Sequence, residues 1–472
     1  MAWDYATLPP AKATRAPLSS RIPLIPVRVS IAIVGAGIAG LSAAWELARA
    51  GRRDFVLLEA SPRAGGVIAT ESHDGFVFEA GPDSFLTSKP AGATLCRELG
   101  LEAEMIPTLP NPGGARIWHR GRFHPLPAGW QMLAPTRLRP LLASGVSTGL
   151  LRPGVKLGLA ARWWRTPPPP PGEESVAQYL RRRFGRVAGQ ALADTIAGPL
   201  LAGVYGGNCE QLSAAGFLAA SAPRPPAAHA RPPGASLFTS LQGGMGSLIE
   251  ALVAHLPPGA LRLASPVAGL RPAPGGGYRL ELASGEALEA AAVIVATPAW
   301  AAAQLLGPLD PALAEPLAAI PYASSVNVNL AYAAAPALPA GHGFLASRGQ
   351  GVRLLACTFA HQKFAHRAPP GGAVLRVFYG GELAQAPEAE VAALAQAELR
   401  QLLGLATSPL RLAVRRCSRA MAQVTVGHQA RLAALAAAAA RHPRLRLAGN
   451  AYQGIGVPDC IATGRAAAAG LP

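Results

Sequence analysis

The sequence predicts an α/β chain made of a discontinuous Rossmann-like dinucleotide-binding domain, an α+β second domain and a helical insert. Three observations lead there. A β-branched strand, a G-x-G-x-x-G turn and an Ala/Leu-rich helix follow one another from Val27; strand-and-turn patterns return near residue 241 and again near 445; and Pro125 to Arg165 drops that pattern for leucine, glycine, arginine and tryptophan.

Composition bounds the answer. At 472 residues the chain can bury the cores of two or three domains, and half of its residues are apolar, which excludes a disordered protein. The formal net charge of +17 is carried almost entirely by arginine, scattered and without any nucleic-acid motif, so it points to an acidic surface such as anionic lipid and to no nucleic-acid partner. Five cysteines (Cys96, Cys209, Cys357, Cys417, Cys460) are odd in number and lack a C-x-x-C pair, which argues for a reducing compartment and against a metal site. No uninterrupted run of clearly apolar residues is long enough to predict a spanning helix.

Residues 1–26 hold five prolines and no apolar signal-type core, and read as a flexible lead-in. Residues 27–110 form the first part of the dinucleotide-binding domain. Val29, Ile31, Ile33 and Val34 run into Gly35-Ala36-Gly37-Ile38-Ala39-Gly40, and Gly51 is placed to end the helix that follows. Gly35 permits the turn, Gly37 lets a pyrophosphate approach the backbone, and Gly40 lets helix pack on strand, while the helix's first amides receive the phosphate charge. The next strand, Phe55 to Leu58, ends at Glu59-Ala60, where an acid can bind the ribose hydroxyls. Arg63 then stands ready for a phosphate, Gly65 and Gly66 leave room for a flat ring system, and Gly81-Pro82-Asp83-Ser84 repeats the small, turn-forming chemistry. This extension resembles the flavoprotein superfamily of amine oxidases, desaturases and protoporphyrinogen oxidases, whose cofactor is FAD; an NAD enzyme with an Arg-Gly-Gly surface loop is the other reading of the same residues.

Asn111 to Gly114 is a strong turn, and the alternation from Ala115 to Phe123 reads as a hairpin, assigned with residues 111–124 to the second domain. Residues 125–215 form the helical insert. Its arginines, with Trp130, Met132, Trp163 and Trp164 at the margins, suit a membrane interface, and equally a helical subdomain packed on itself. A proline run from Pro167 to Pro171 is a stiff spacer, a helix starts near Ser175, and Gly198 to Asn208 is glycine-rich backbone a ligand can approach, or simply a turn. After a loop at 216–235, residues 236–310 return to the dinucleotide-binding domain, with Val293 to Val295 ending beside the cofactor. Residues 311–440 supply the second domain, with strands Ser325 to Tyr332, Val352 to Phe359 and Ala373 to Tyr379 and a helix from Ala386 to Leu403. Residues 441–472 give strand, Gly-rich loop and helix, whose start offers positive dipole to a reduced flavin.

Three stretches narrow the resemblance: Gly198 to Leu212, Ala360 to Pro369 with Leu375 to Gly381, and Gly449 to Cys460. Together they resemble the oxygen-dependent, FAD-containing protoporphyrinogen oxidases over nearly the whole chain, from Val29 to Leu471. The resemblance implies an FAD domain, a substrate domain and a membrane-binding insert. It also implies three two-electron oxidations of a porphyrinogen by hydride transfer to flavin N5, with reoxidation by molecular oxygen to hydrogen peroxide. It implies a cytoplasmic enzyme, peripheral to the inner face of the membrane, and allows a homodimer. No side chain need act as a catalytic group. Arg116 resembles the arginine that pairs with a substrate propionate; Leu345, Thr358 and Phe378 resemble residues that sandwich the macrocycle; Gly203 sits where a backbone carbonyl faces the pyrrole NH groups. Val267, Cys417, Gly449, Asn450, Ile455, Gly456 and Val457 fall at cofactor contacts. Cys417 and Ser418 stand where the family often has Trp and Pro, and Thr358 replaces a leucine. Coproporphyrinogen III oxidation by the same fold, an amine oxidase, a carotenoid desaturase, and a non-catalytic basic binder are the alternatives.

Overall fold

The computed structural model describes residues 27–110, 114–126, 130–131, 134–135, 149–162, 170, 172–216 and 236–471. Two seven-stranded sheets carry the architecture. In the first, the strands run in the order Leu261–Arg262, Phe55–Leu58, Val27–Val34, Ala287–Val295, Tyr278–Leu282 and Val267–Pro272. Val27–Val34 is parallel to both neighbours, and the far edge of Ala287–Val295 is shared: its first half takes Tyr278–Leu282 antiparallel, while Val293 to Val295 take Leu445–Leu447 in parallel. Such central strands are buried on both faces and therefore read as continuous apolar runs. Ile31, Ile33 and Leu57 face the helices Ile38–Arg49 and Val457–Ala469; Ala32, Val34 and Leu58 face the helices Ala299–Leu306 and Pro311–Ala318. Residues from both ends of the described chain thus share one core.

The second sheet runs Arg411–Ala422, Tyr322–Tyr332, Ala373–Gly380, Ala356–Phe359, Gly343–Ala346, Ala115–His119 and Arg122–Pro125. The hairpin near residue 120 is thereby part of this sheet, closed by Arg120 and Gly121, both at positive φ. Alternation gives the sheet two unlike faces. Val328, Phe344, Cys357, Val377 and Val414 pack under the helix Glu388–Leu403, with Phe344 edge-on to Phe123 and Phe359. The residues between them, Asn327, Leu345, Ala356, Phe378 and Arg415, form the row on the opposite face, toward the first domain and the insert.

The described part of the insert holds helices Pro153–Arg162, Val176–Phe184 and Arg186–Leu192, the last continued by a π-helical turn, Ala193–Ala197, into Gly198–Tyr205. Ser175 caps the second with a reciprocal Ser–Gln box. Their apolar faces close a separate cluster that also takes in Ile117 of the second sheet.

Four points refine the sequence reading. Gly198 to Tyr205 is helix, not turn: Gly203 is small because its helix lies against Leu345, and a β-carbon there would sit 2.2 Å from Leu345 Cδ2. Arg186–Tyr205 spans 20 residues and by length and composition alone could cross a membrane, but half of its most apolar stretch is buried inside the protein, as in a core helix. The insert includes a short strand pair, Trp130–Gln131 with Ala134–Pro135. Arg411–Ala422 is a 12-residue strand that its arginines disguise: the adjacent Arg415 and Arg416, on opposite faces, reach Glu71 and the Ala384 carbonyl on other elements. Asn111 to Gly113, Met132, Trp163, Trp164 and most of the proline run lie outside the described residues.

Candidate active site

The nucleotide turn is built by backbone contact. Gly35 has φ +101 and donates its N–H to Leu58 O. A β-carbon on Gly40 would fall 1.8 Å from Gly35 O, and one on Gly464 2.0 Å from Ala39 O, so both glycines exist for close approach. Gly37 differs: a β-carbon there meets nothing within 4 Å, so the turn opens onto free space at the N-terminus of the helix Ile38–Arg49. Ile38 and Ala39 are buried in the core behind it. Glu59, almost fully buried, accepts N–H bonds from Ala36 at 2.7 Å and Ser61 at 2.9 Å, which holds its carboxylate at the turn, and Ala60 beside it is exposed. Ser265 N–H donates to Glu59 O, bringing the start of the strand at Val267 to the same end of the sheet.

The loop after Glu59 folds back on the turn. Gly65 N–H donates to Ala36 O, and a β-carbon on Gly66 would lie 3.3 Å from Gly37 Cα. Arg63 does not face a phosphate with a free guanidinium: its terminal nitrogens donate to the carbonyls of Ala64, Ile68 and Gly66, bracing the loop. Gly81 packs so tightly that a β-carbon would stand 2.1 Å from Val67 O. Beyond Pro82, Asp83 accepts from Lys363 Nζ at 2.9 and 3.0 Å, pairs with Arg376 at 3.3 Å and takes the Ser84 hydroxyl at 2.7 Å. Burial pushes the Asp83 carboxyl up, but Lys363 and Arg376 more than reverse this and hold it well below the usual range. Asp83 and Ser84 are therefore anchors of the loop.

The C-terminal segment closes the site. Gly449 (φ +135) donates its N–H to Thr463 Oγ1, while Asn450 donates to Ala420 O and accepts the Tyr322 hydroxyl. Ile455 packs on the core; Gly456 caps the helix Val457–Ala469 and donates its N–H to Asp459, whose two oxygens bind Lys89 Nζ at 2.7 and 2.6 Å. Asp459 also raises Tyr205, though less than burial does, which sets the end of the insert helix near this helix start. Cys417 donates Sγ–H to Ala80 O.

Leu345, Ala356 and Phe378 are register partners across three strands, Thr358 and Arg376 pair in the adjoining row, and Gly203 lies on Leu345. Arg116 is not with them. It pairs in register with Phe344, whose side chain belongs to the core under the helix Glu388–Leu403, and its Nε donates to Ala340 O at 2.6 Å. Its neighbour Ile117 faces the insert, so alternation turns Arg116 to the far face. Residues that sequence reasoning missed are Lys89, Asp459, Asn327, Asn329, Lys363 and Arg376. A polar side chain inside an otherwise apolar strand was the available signal for three of them: Asn327, Asn329 and Arg376 are buried in β-rich runs.

A flavin dinucleotide fits these residues: Gly37 opens on space bordered by helix N–H groups, and the buried Thr297 Oγ1 and Tyr452 hydroxyl, at the same end of the first sheet, have no hydrogen-bond partner in the protein.

Comparison with known proteins agrees. The model of the flavin-containing amine oxidoreductases matches residues 38–471. A coproporphyrinogen III oxidase from Propionibacterium freudenreichii subsp. freudenreichii is 33% identical over 92% of this chain and 89% of its own. A protoporphyrinogen oxidase from Macaca fascicularis is 30% identical over 93% of this chain and 97% of its own. A crystal structure from Exiguobacterium sp. 255-15, provisionally named protoporphyrinogen oxidase, superposes with a TM-score of 0.80 at 30% identity, covering 94% of this chain and 98% of that one.

Proposed function

The chain belongs to the flavin-containing amine oxidoreductase family, with FAD as its cofactor, and from that premise we propose that it oxidises a porphyrinogen, protoporphyrinogen IX, to the porphyrin. One observation carries the reading: Leu345, Ala356 and Phe378 are register partners, with Thr358 in the adjoining row, on one face of the second sheet. Asn327, Asn329 and Arg376 tie this platform face to the Glu79–Gly81 segment beside the nucleotide turn, and the Gly203 helix packs against it. Bound FAD would supply a two-electron acceptor used three times per porphyrin, with oxygen as the terminal oxidant. The residues of the chain bind and orient. Gly35, Gly37 and Gly40 with the first amides of Ile38–Arg49 receive the pyrophosphate, Glu59 the ribose, and the start of Val457–Ala469 the electron-rich edge of the ring. Phe378, Leu345 and Thr358 stack on the macrocycle, and Gly203 presents a carbonyl from the last helical turn, where helix carbonyls lack amide partners of their own.

The two arginines on the platform face, Arg376 and Arg415, are engaged with the Glu79–Asp83 segment and with Glu71. With Arg376 and Arg415 so engaged among the described residues, this face favours a substrate with two propionates over one with four. Coproporphyrinogen III is the second reading, favoured by the names of bacterial relatives. Following porphyrin fluorescence in air with both porphyrinogens side by side tests this: a kcat/KM preference for protoporphyrinogen IX supports the first reading, the opposite preference the second, and a flavin-loaded protein inert on both refutes the proposal.

The same reading seats the enzyme on the inner membrane surface. Leu157 (72% exposed) and Val187 (77% exposed) stand on neighbouring insert helices among Arg152, Arg162 and Arg186. Replacing both with glutamate is expected to weaken flotation with anionic liposomes several-fold.

A further inference from the structure

We propose that Arg376 is a positioning residue for the flavin: it fastens the Glu79–Ser84 segment, which flanks the cofactor turn, to the platform sheet. The inference rests on the FAD reading. Three consecutive carbonyls of this segment leave the first domain and are met by side chains of the second sheet. Glu79 O accepts from Arg376 Nη2 at 3.0 Å and Asn329 Nδ2 at 3.3 Å; Ala80 O from Asn327 Nδ2 at 2.6 Å; Gly81 O from Arg376 Nη2 at 2.7 Å. Arg376 Nη1 reaches on to Asp83, so one guanidinium holds three points along five residues.

The other side of the segment is the cofactor turn. Gly81 touches Val67, Val67 follows Gly66, and Gly66 meets Gly37. A displacement at Arg376 therefore passes through packed backbone to the glycine that opens on the pyrophosphate site. Arg376 is 2% exposed and its Nε has no partner, so the residue is retained at a desolvation cost that the bonds above must offset. Its guanidinium also lies 5.0 Å from the Phe378 ring, which ties the same anchor to the substrate platform. Flavin and macrocycle are thereby referenced to one side chain. A lysine ammonium cannot copy this, because it is a point donor without a planar fork.

The test uses holoenzyme and three variants, Arg376→Met, Arg376→Lys and Glu398→Gln, read by FAD dissociation constant, the visible circular dichroism of bound flavin and Tm. Glu398 is the control: buried like Arg376, it accepts from Leu354 N–H and the Tyr379 hydroxyl on the opposite side of the sheet and touches nothing in Glu79–Ser84. Arg376→Met is expected to weaken FAD binding at least tenfold and alter the dichroism, Arg376→Lys to fall between, and Glu398→Gln to lower Tm while leaving FAD affinity within twofold. Wild-type FAD affinity and dichroism in Arg376→Met overturn the proposal, as does equal FAD loss in Glu398→Gln; if Arg376→Met does not fold, wild-type values in Arg376→Lys overturn it. A wild-type protein that binds no FAD refutes the flavin reading instead.

Discussion

Glycines at the nucleotide turn separate stability from binding. Gly37 has open space where a side chain would go, so Gly37→Val is expected to leave the Tm of the flavin-free protein within about 2 °C while abolishing FAD retention in a gel-filtration assay. Gly40→Ala places a methyl on Gly35 O and is expected to lower Tm of the same flavin-free protein sharply. Arg116→Ala is expected to change the porphyrinogen KM less than twofold, since its guanidinium is committed to Ala340 O on the far face, whereas Phe378→Ala removes stacking worth about 1 kcal/mol and raises KM several-fold. Arg116 shows where sequence reading stops. Period-two alternation says that residues 116 and 117 point opposite ways, but which way is toward the cofactor depends on strands more than 200 residues later.

Among the elements, the strand, turn and helix from Val27 to Arg49 were legible because every determinant is local: β-branched residues, three glycines and the helix they start. The bracing of Glu79–Ser84 was not, since Arg376 and Glu79 lie 297 residues apart and nothing in a strand pattern names a partner. This segment also sets a pH response. Glu79 is buried against Thr70 and Met245 N–H, and burial raises its pKa despite those bonds and two nearby arginines. A raised folded value means a contribution present below the unfolded carboxyl pKa of about 4.3 and lost as pH rises through the folded value. The Tm advantage of wild type over Glu79→Gln is therefore expected to shrink as pH rises above the unfolded carboxyl value of about 4.3. Asp83 has the opposite sign: its lowered pKa contributes stability above an unfolded value of about 3.9 that is lost as pH falls. Asp83→Asn, which leaves Lys363 and Arg376 without a carboxylate, is expected to cost about 3 kcal/mol at pH 7 by denaturant melt.

At the scale of the molecule, the first sheet draws strands from residues 27–58, 261–295 and 445–447 around one pair of cores. Removing residues 445–472 strips a strand from beside Ala287–Val295 and a helix from the face of Ile38–Arg49, so the truncated chain is expected to lose the cooperative melt as well as FAD, followed by calorimetry. The order of synthesis gives this layout a further meaning. Val27–Val34 has one neighbour, Phe55–Leu58, close behind it in the chain, whereas the other, Ala287–Val295, follows some 250 residues later. At roughly 5–20 residues per second, one edge of Val27–Val34 therefore waits on the order of tens of seconds of synthesis for its partner. Such a delay leaves a strand edge open during synthesis, so production in a foreign host is expected to respond to growth temperature and translation speed.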